Sequence, residues 1–287
     1  MIRTLILASA LMWTTSAGAQ TLYSATNFIH GADVKEIAMA EWEIVATGAA
    51  EQTGARILIA AGDEELKSAP KNAVRYGSKT YKFPSGEIRV LTFTKANGGV
   101  LHQITNETTL MVLKGSAEVG VAGVPTKIAA GDVVSYPSGV LRSIKRKNED
   151  TTIVLWTVGS TEKAPKSIVV RGKDLKESAP QAPAKPGSST TFGKRYTFEG
   201  NSVRHNRVKG PGKSNPALPR RDVLVYVASG SGKLTVGDET KAMTAGDAAR
   251  EEGFKSTNWE IDGELVFIAI DAVAVAPKGP AEAPKAN

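Results

Sequence analysis

The chain has 287 residues, long for one small barrel and comfortable for two domains of about 100–150 residues each. A formal charge of +7 would suit nucleic acid. The Lys and Arg are spread along the chain, however, with no aromatic-interleaved basic stripe, zinc-finger spacing or recognition-helix pattern, so no nucleic-acid partner is expected. The chain has no Cys, which excludes disulfides and thiolate chemistry.

Taken in chain order, residues 1–19 read as a secretory signal. Arg3 gives the positive start, Leu5 to Trp13 an apolar core of about nine residues, and Ala17-Gly18-Ala19 a small-residue cleavage site. That core falls short of the roughly 20 residues of a bilayer span. The expectation is a periplasmic or secreted protein cleaved near Ala19, with no membrane span. In the following segment, 20–54, Asp33-Val34-Lys35-Glu36 reads as a capping box. Val34, Ile37, Ala38, Trp42 and Val45 fall at helical spacing, which predicts a short N-terminal helix packed outside a barrel. Ala55 to Ala61 (ARILIAA) reads as the first strand.

Gly98 to Arg142 is the most regular stretch. Valine-rich runs are cut by Gly115, Gly123, Gly131-Asp132 and Pro137-Ser138-Gly139, the pattern of a small antiparallel barrel or sandwich. The stretch belongs to an internal repeat. Gly62, Ser68, Ala69 and Pro70 recur as Gly172, Ser178, Ala179 and Pro180. Further on, Lys79, Tyr81, Phe83 and Arg89 match Lys194, Tyr196, Phe198 and Arg204, and Val112, Gly115, Gly131 and Asp132 match Val227, Gly230, Gly246 and Asp247. The expected architecture is all-β, with one barrel over 55–162 and a second over 163–275. Ser178 to Ser189 reads as an enlarged lead-in loop of the second copy, and 276–287 as a disordered tail.

The order and spacing of these motifs resemble the cupin superfamily. The resemblance implies a bicupin, two tandem jelly-roll (double-stranded β-helix) barrels over roughly Ala55 to Ala272. Laid on the cupin metal motifs, His102 takes the first His position, Ile104 the second and Thr108 the Glu position, while Arg142 stands at the closing His. In the second copy these positions are Ala217, Pro219, Val223 and Thr257. A divalent metal needs three or four imidazole or carboxylate donors. Only His102 offers one, and Arg142 would repel the ion. No metal site and no cofactor are expected.

The resemblance makes the face bearing His102, Ile104 and Thr108 the lumen of barrel 1, with Arg142 entering from the opposing motif. A His and an Arg over an apolar lining of Ile104, Leu110 and Val112 suit a small anion with an apolar body. Arg89 and Tyr136 are candidates for the wall or rim, and His102 for acid–base duty. The primary reading is a metal-independent periplasmic bicupin binding a small anionic molecule, a carboxylated sugar or aromatic acid, in barrel 1. One alternative is a metal-independent lyase or isomerase using His102. The other is a non-catalytic oligomeric cupin that dimerises through exposed strand faces bearing Met111 and Tyr226. The charged run Arg250-Glu251-Glu252 in the second copy reads as a solvated rim.

Overall fold

The structure is a computed structural model. It describes residues 26–45, 55–95, 100–104, 108–121, 124–136, 141–146, 149–158, 167–178, 187–198 and 201–272. Of residues 43–45, 55–58, 100–104, 141–143, 146 and 201 it describes only the backbone. The expected signal (1–19), most of the lead-in loop and the tail (276–287) lie outside the described residues.

The first half begins with β1 (Phe28–Ile29), β2 (Ile37–Val45), β3 (Ala55–Ala61), the one-turn helix α1 (Asp63–Leu66), β4 (Val74–Phe83) and β5 (Gly86–Phe93). It continues with β6 (Val100–Ile104), β7 (Thr108–Lys114), β8 (Ser116–Val121), β9 (Val124–Ala129), β10 (Val133–Tyr136), β11 (Leu141–Arg146), β12 (Thr151–Val158) and β13 (Ile168–Val170). Strands β13-β10-β7-β12-β5-β4-β2-β3 form one sheet, and β6-β11-β8-β9 form another that closes barrel 1. Between them lies an apolar core that includes Leu91, Leu110, Val112, Val119, Ile144 and Ile153.

The second half contains β14 (Thr190–Phe198), β15 (Asn201–Lys209), β16 (Gly212–Lys213), β17 (Asp222–Val236), β18 (Glu239–Thr244), β19 (Ala248–Glu251), β20 (Thr257–Ile261) and β21 (Glu264–Ala272). Here the long β17 runs through both faces of barrel 2, pairing with β19 and β21 near its start and with β18 and β20 near its end. In barrel 1 the same path is divided at Gly115 between β7 and β8. Gly115 has φ +76 and Gly230 φ +79, and a Cβ at either would meet a carbonyl oxygen, that of Asp150 or Glu264. Only glycine fits such a corner, which is why both copies carry one.

A third core joins the barrels. Tyr81, Phe83, Met111, Val154 and Trp156 of barrel 1 pack with Tyr196, Phe198, Leu224, Tyr226, Ile268 and Ile270 of barrel 2. The polar contacts across this seam are reciprocal. The Tyr81 hydroxyl donates to Gly246 O at 2.6 Å, and the Tyr196 hydroxyl donates to Gly131 O at 2.7 Å. Lys79 Nζ donates to Gly31 O at 3.0 Å, and Lys194 Nζ to Gly172 O at 2.8 Å. Burial, with the nearby Asp132, pushes the Tyr196 phenol up to about 12, so it stays a donor at any ordinary pH.

Four sequence expectations are corrected. The predicted N-terminal helix is β2, hydrogen-bonded between β3 and β4; this strand is not a clean one-face alternator, so its apolar residues fall by chance at helical spacing. Glu36, the expected helix cap, instead lies beside Thr92 Oγ1 at 3.3 Å. The boundaries at 20–54 and 163 are crossed, because β1 pairs with β19 of barrel 2 and β13 pairs with β10 of barrel 1. The buried Asp247 accepts Gly31 N–H at 2.7 Å, and Asp132 accepts Gly172 N–H at 2.9 Å. The structural counterpart of Gly172 is therefore Gly31, not Gly62. Finally, Met111 and Tyr226 are only 1% and 8% exposed: the faces expected to join two copies belong instead to the core between the chain's own two barrels.

Candidate functional site

Side-chain alternation along each strand decides what reaches each lumen. In barrel 1, Leu110 and Val112 of β7, Val134 of β10, Ile153 and Leu155 of β12, and Leu91 and Phe93 of β5 face inward. The same phase carries Thr108, Tyr136, Thr157, Glu87 and Arg89. Register lines them up: Tyr136 is opposite Thr108, Thr108 opposite Thr157, and Thr157 opposite Glu87. A polar row thus crosses one level of an otherwise apolar barrel. Thr108 and Tyr136 are buried, whereas Arg89 is partly exposed and holds Glu87 Oε1 at 3.1 Å.

Three of the residues singled out in the sequence thus share the row: Thr108, Tyr136 and Arg89. For the other three only backbone is described. Arg142 is opposite Gln103, His102 opposite Ser143, and Ile104 opposite Leu141. The alternation that groups His102 and Ile104 with Thr108 in the sequence spans two strands, β6 and β7.

Barrel 2 carries a different set at the same level. Glu251 stands where barrel 1 has Tyr136, Asp271 where it has Thr157, and Arg204 where it has Arg89. Glu251 and Asp271 both lie opposite Val223, one on each neighbouring strand. Asp271 accepts Arg204 Nη2 at 3.1 Å and the Ser202 hydroxyl at 2.8 Å. Burial is the chief cause that pushes the Glu251 carboxyl up to about 7; Arg204 and Trp259 hold it down, and Asp271 pushes it further up. Sequence reasoning missed Glu251. The signal was available, since in a strand reading Arg250-Glu251-Glu252 the middle residue points away from its neighbours.

The neighbouring charged groups are structural. Arg250 bonds Asn27 Oδ1 through Nε and Nη2 at 3.1 and 3.0 Å and lies 3.5 Å from Asp222, tying the N-terminal strand to barrel 2. His30 approaches Asp247 at 3.3 Å at the matching seam. His205 sits opposite Lys194, and burial, aided by that cation, lowers its pKa. Among the described residues, no group of three His, Cys, Asp or Glu side chains is placed to hold a metal. No helix there is long and apolar enough to cross a membrane.

The architecture recurs in solved structures. An oxalate decarboxylase of Bacillus subtilis aligns with a TM-score of 0.57 at 14% identity, over 69% of this chain and 73% of that one. AerE of Microcystis aeruginosa aligns at 0.56 with 10% identity, over 68% and 91%. Ylba of E. coli aligns at 0.53 with 15% identity, over 70% and 84%. This is the cupin fold. No family model and no curated protein sequence matches the chain. At such identities the likeness to the solved cupins carries the fold and not the chemistry.

Proposed function

We propose that the protein is an exported cupin-fold binder that takes a small anionic organic molecule, a carboxylated sugar or an aromatic acid, in barrel 1 without a metal. The observation behind this reading is the polar row Tyr136–Thr108–Thr157 ending beside Arg89 in an apolar lumen. A guanidinium takes a carboxylate through two parallel N–H donors. The Arg89–Glu87 pair is partly exposed, and such pairs contribute about 0–1 kcal/mol, so a ligand carboxylate can replace Glu87 at little cost. Leu110, Val112 and Ile153 would receive the apolar body. Arg142 supplies a second cation in this reading. Metal independence rests on the residues at the metal-motif positions, where Ile104, Thr108 and Arg142 replace imidazole and carboxylate donors. Export rests on the leader read in residues 1–19.

Thermal-shift and calorimetric titration of the purified chain with benzoate and glucuronate test the reading. Saturable stabilisation is expected for at least one of them. Arg89→Met and Arg142→Met should each weaken it at least tenfold, as for a hydrogen bond to a charged group, and His102→Ala should leave binding intact. Stoichiometric transition metal in untagged protein, or carboxylate binding unchanged in both Arg variants, would overturn it.

A further inference from the structure

The lumen of barrel 2 is walled by apolar side chains, among them Val225, Val227, Ala249, Phe267 and Ala269. At the level of Val223 this changes. Glu251 shares the inward phase of Ala249 on β19, Asp271 that of Ala269 on β21, and Arg204 that of Val208 on β15. Trp259 of β20, stacked on Phe267 with ring centres 5.0 Å apart, belongs to the same lumen.

Pairing within this group is unfinished. Asp271 engages both of its oxygens, one with Arg204 Nη2 and one with Ser202, which balances the guanidinium charge. Arg204 Nε is buried without a hydrogen-bond partner, and so is Trp259 Nε1. The indole lies near enough to the Glu251 carboxyl to influence it, yet closes no hydrogen bond of good geometry. Glu251 is 8% exposed. A buried N–H left unmet costs about 1–3 kcal/mol; here two such donors and a buried carboxyl share one lumen. Arg204 and Asp271 keep 34% and 30% of their side-chain surface exposed, so the group opens to solvent on that side.

We infer that barrel 2 holds a second binding site, in which Glu251, Arg204 Nε and Trp259 Nε1 take a small uncharged polyhydroxy molecule, a sugar or polyol. The chemistry selects this class. An alcohol oxygen accepts from an N–H while its own proton goes to the carboxylate, so neighbouring hydroxyls serve both donors and Glu251 together. An anion gains little, because Arg204 is already balanced by Asp271. An ammonium carries no acceptor and, like a hydrocarbon, leaves both N–H groups unmet. The site is separate from the anion site proposed for barrel 1, where Tyr136 and Thr157 replace the two carboxylates.

The test is titration of the purified chain with myo-inositol, galactose and glucose, followed by calorimetry and melting temperature. At least one should bind saturably. Trp259→Phe keeps the ring packing and removes only the N–H; Glu251→Gln keeps the shape and removes the charge. Each should weaken binding about tenfold, the scale of one lost hydrogen bond, while Arg89→Met leaves it unchanged. The inference fails if none of the three binds, or if binding is unaltered in both barrel-2 variants. Carboxylate binding lost in Arg89→Met with no polyol binding would sink this site and leave the barrel-1 reading standing; the reverse pattern would do the opposite.

Discussion

Glu251 gives the sharpest physical expectation. Its carboxyl is held at about 7 against an ordinary 4.5 by burial in the barrel-2 lumen. Ionised Glu251 therefore destabilises the folded chain, relative to the same group in the unfolded chain, by about 3 kcal/mol. The sign follows from proton counting. Between pH 4.5 and 7 the unfolded chain has released this proton and the folded chain still holds it, so stability falls as pH rises through that window. Below 4.5 both states are protonated and above 7 both are ionised, and the contribution is flat. Glu251→Gln removes the titration while keeping the shape. The variant should match the parent near pH 4.5 and exceed it at pH 8, by up to about 3 kcal/mol less whatever the amide loses in hydrogen bonding. Urea unfolding of both proteins from pH 4.5 to 8 at constant ionic strength measures the difference. Parallel stability curves, or a variant weaker than the parent at pH 8, would refute the claim that Glu251 is a desolvated carboxyl.

Other expectations follow from the seam and the turns. Tyr81→Phe and Tyr196→Phe each strip the donor from a glycine carbonyl at the inter-barrel seam. Each should lose about 1–2 kcal/mol, and by similar amounts, in urea unfolding; a loss in only one would deny their equivalence. Phe254 holds φ 62 and is 75% exposed, so Phe254→Gly should stabilise by about 1 kcal/mol, read as a higher melting temperature. Gly115→Ala and Gly230→Ala should each destabilise by more than about 2 kcal/mol, because the added methyl meets backbone oxygen in a left-handed corner; soluble expression and melting temperature check this. Lys79→Met should loosen the N-terminal strand through the lost bond to Gly31 O, seen as faster amide exchange at Gly31 and Ala32.

Local chemistry fixed much of the barrel architecture. Gly115, Gly131-Asp132 and their counterparts Gly230 and Gly246-Asp247 sit where left-handed corners and buried carboxylate anchors are required. These demands are met within a few residues of backbone, so they leave marks that a single sequence displays. The same holds for Ala55–Ala61, whose apolar run is one strand with the expected limits.

Other features depend on what a segment packs against. Residues 37–45 carry apolar side chains at both helical and strand-compatible spacings, and the hydrogen-bonding edges of β3 and β4 decide in favour of a strand. The exchange of β1 and β13 between barrels is set by Asp247 and Asp132, distant in the chain from the Gly31 and Gly172 amides they bind. Its trace was the match of Gly31, Asp33, Lys35 and Glu36 with Gly172, Asp174, Lys176 and Glu177, overshadowed by a chance match at Gly62. Alternation sets Glu251 on the face away from Arg250 and Glu252, but which of the two faces is desolvated is not written locally. Its sequence neighbours are charged, and only the closure of β19, β17, β21 and β15 around one lumen removes it from water and sets it beside Arg204 and Trp259. Sequence dictates the turns because they are short-range; the polar sites belong to the tertiary fold because desolvation is a property of everything around a side chain.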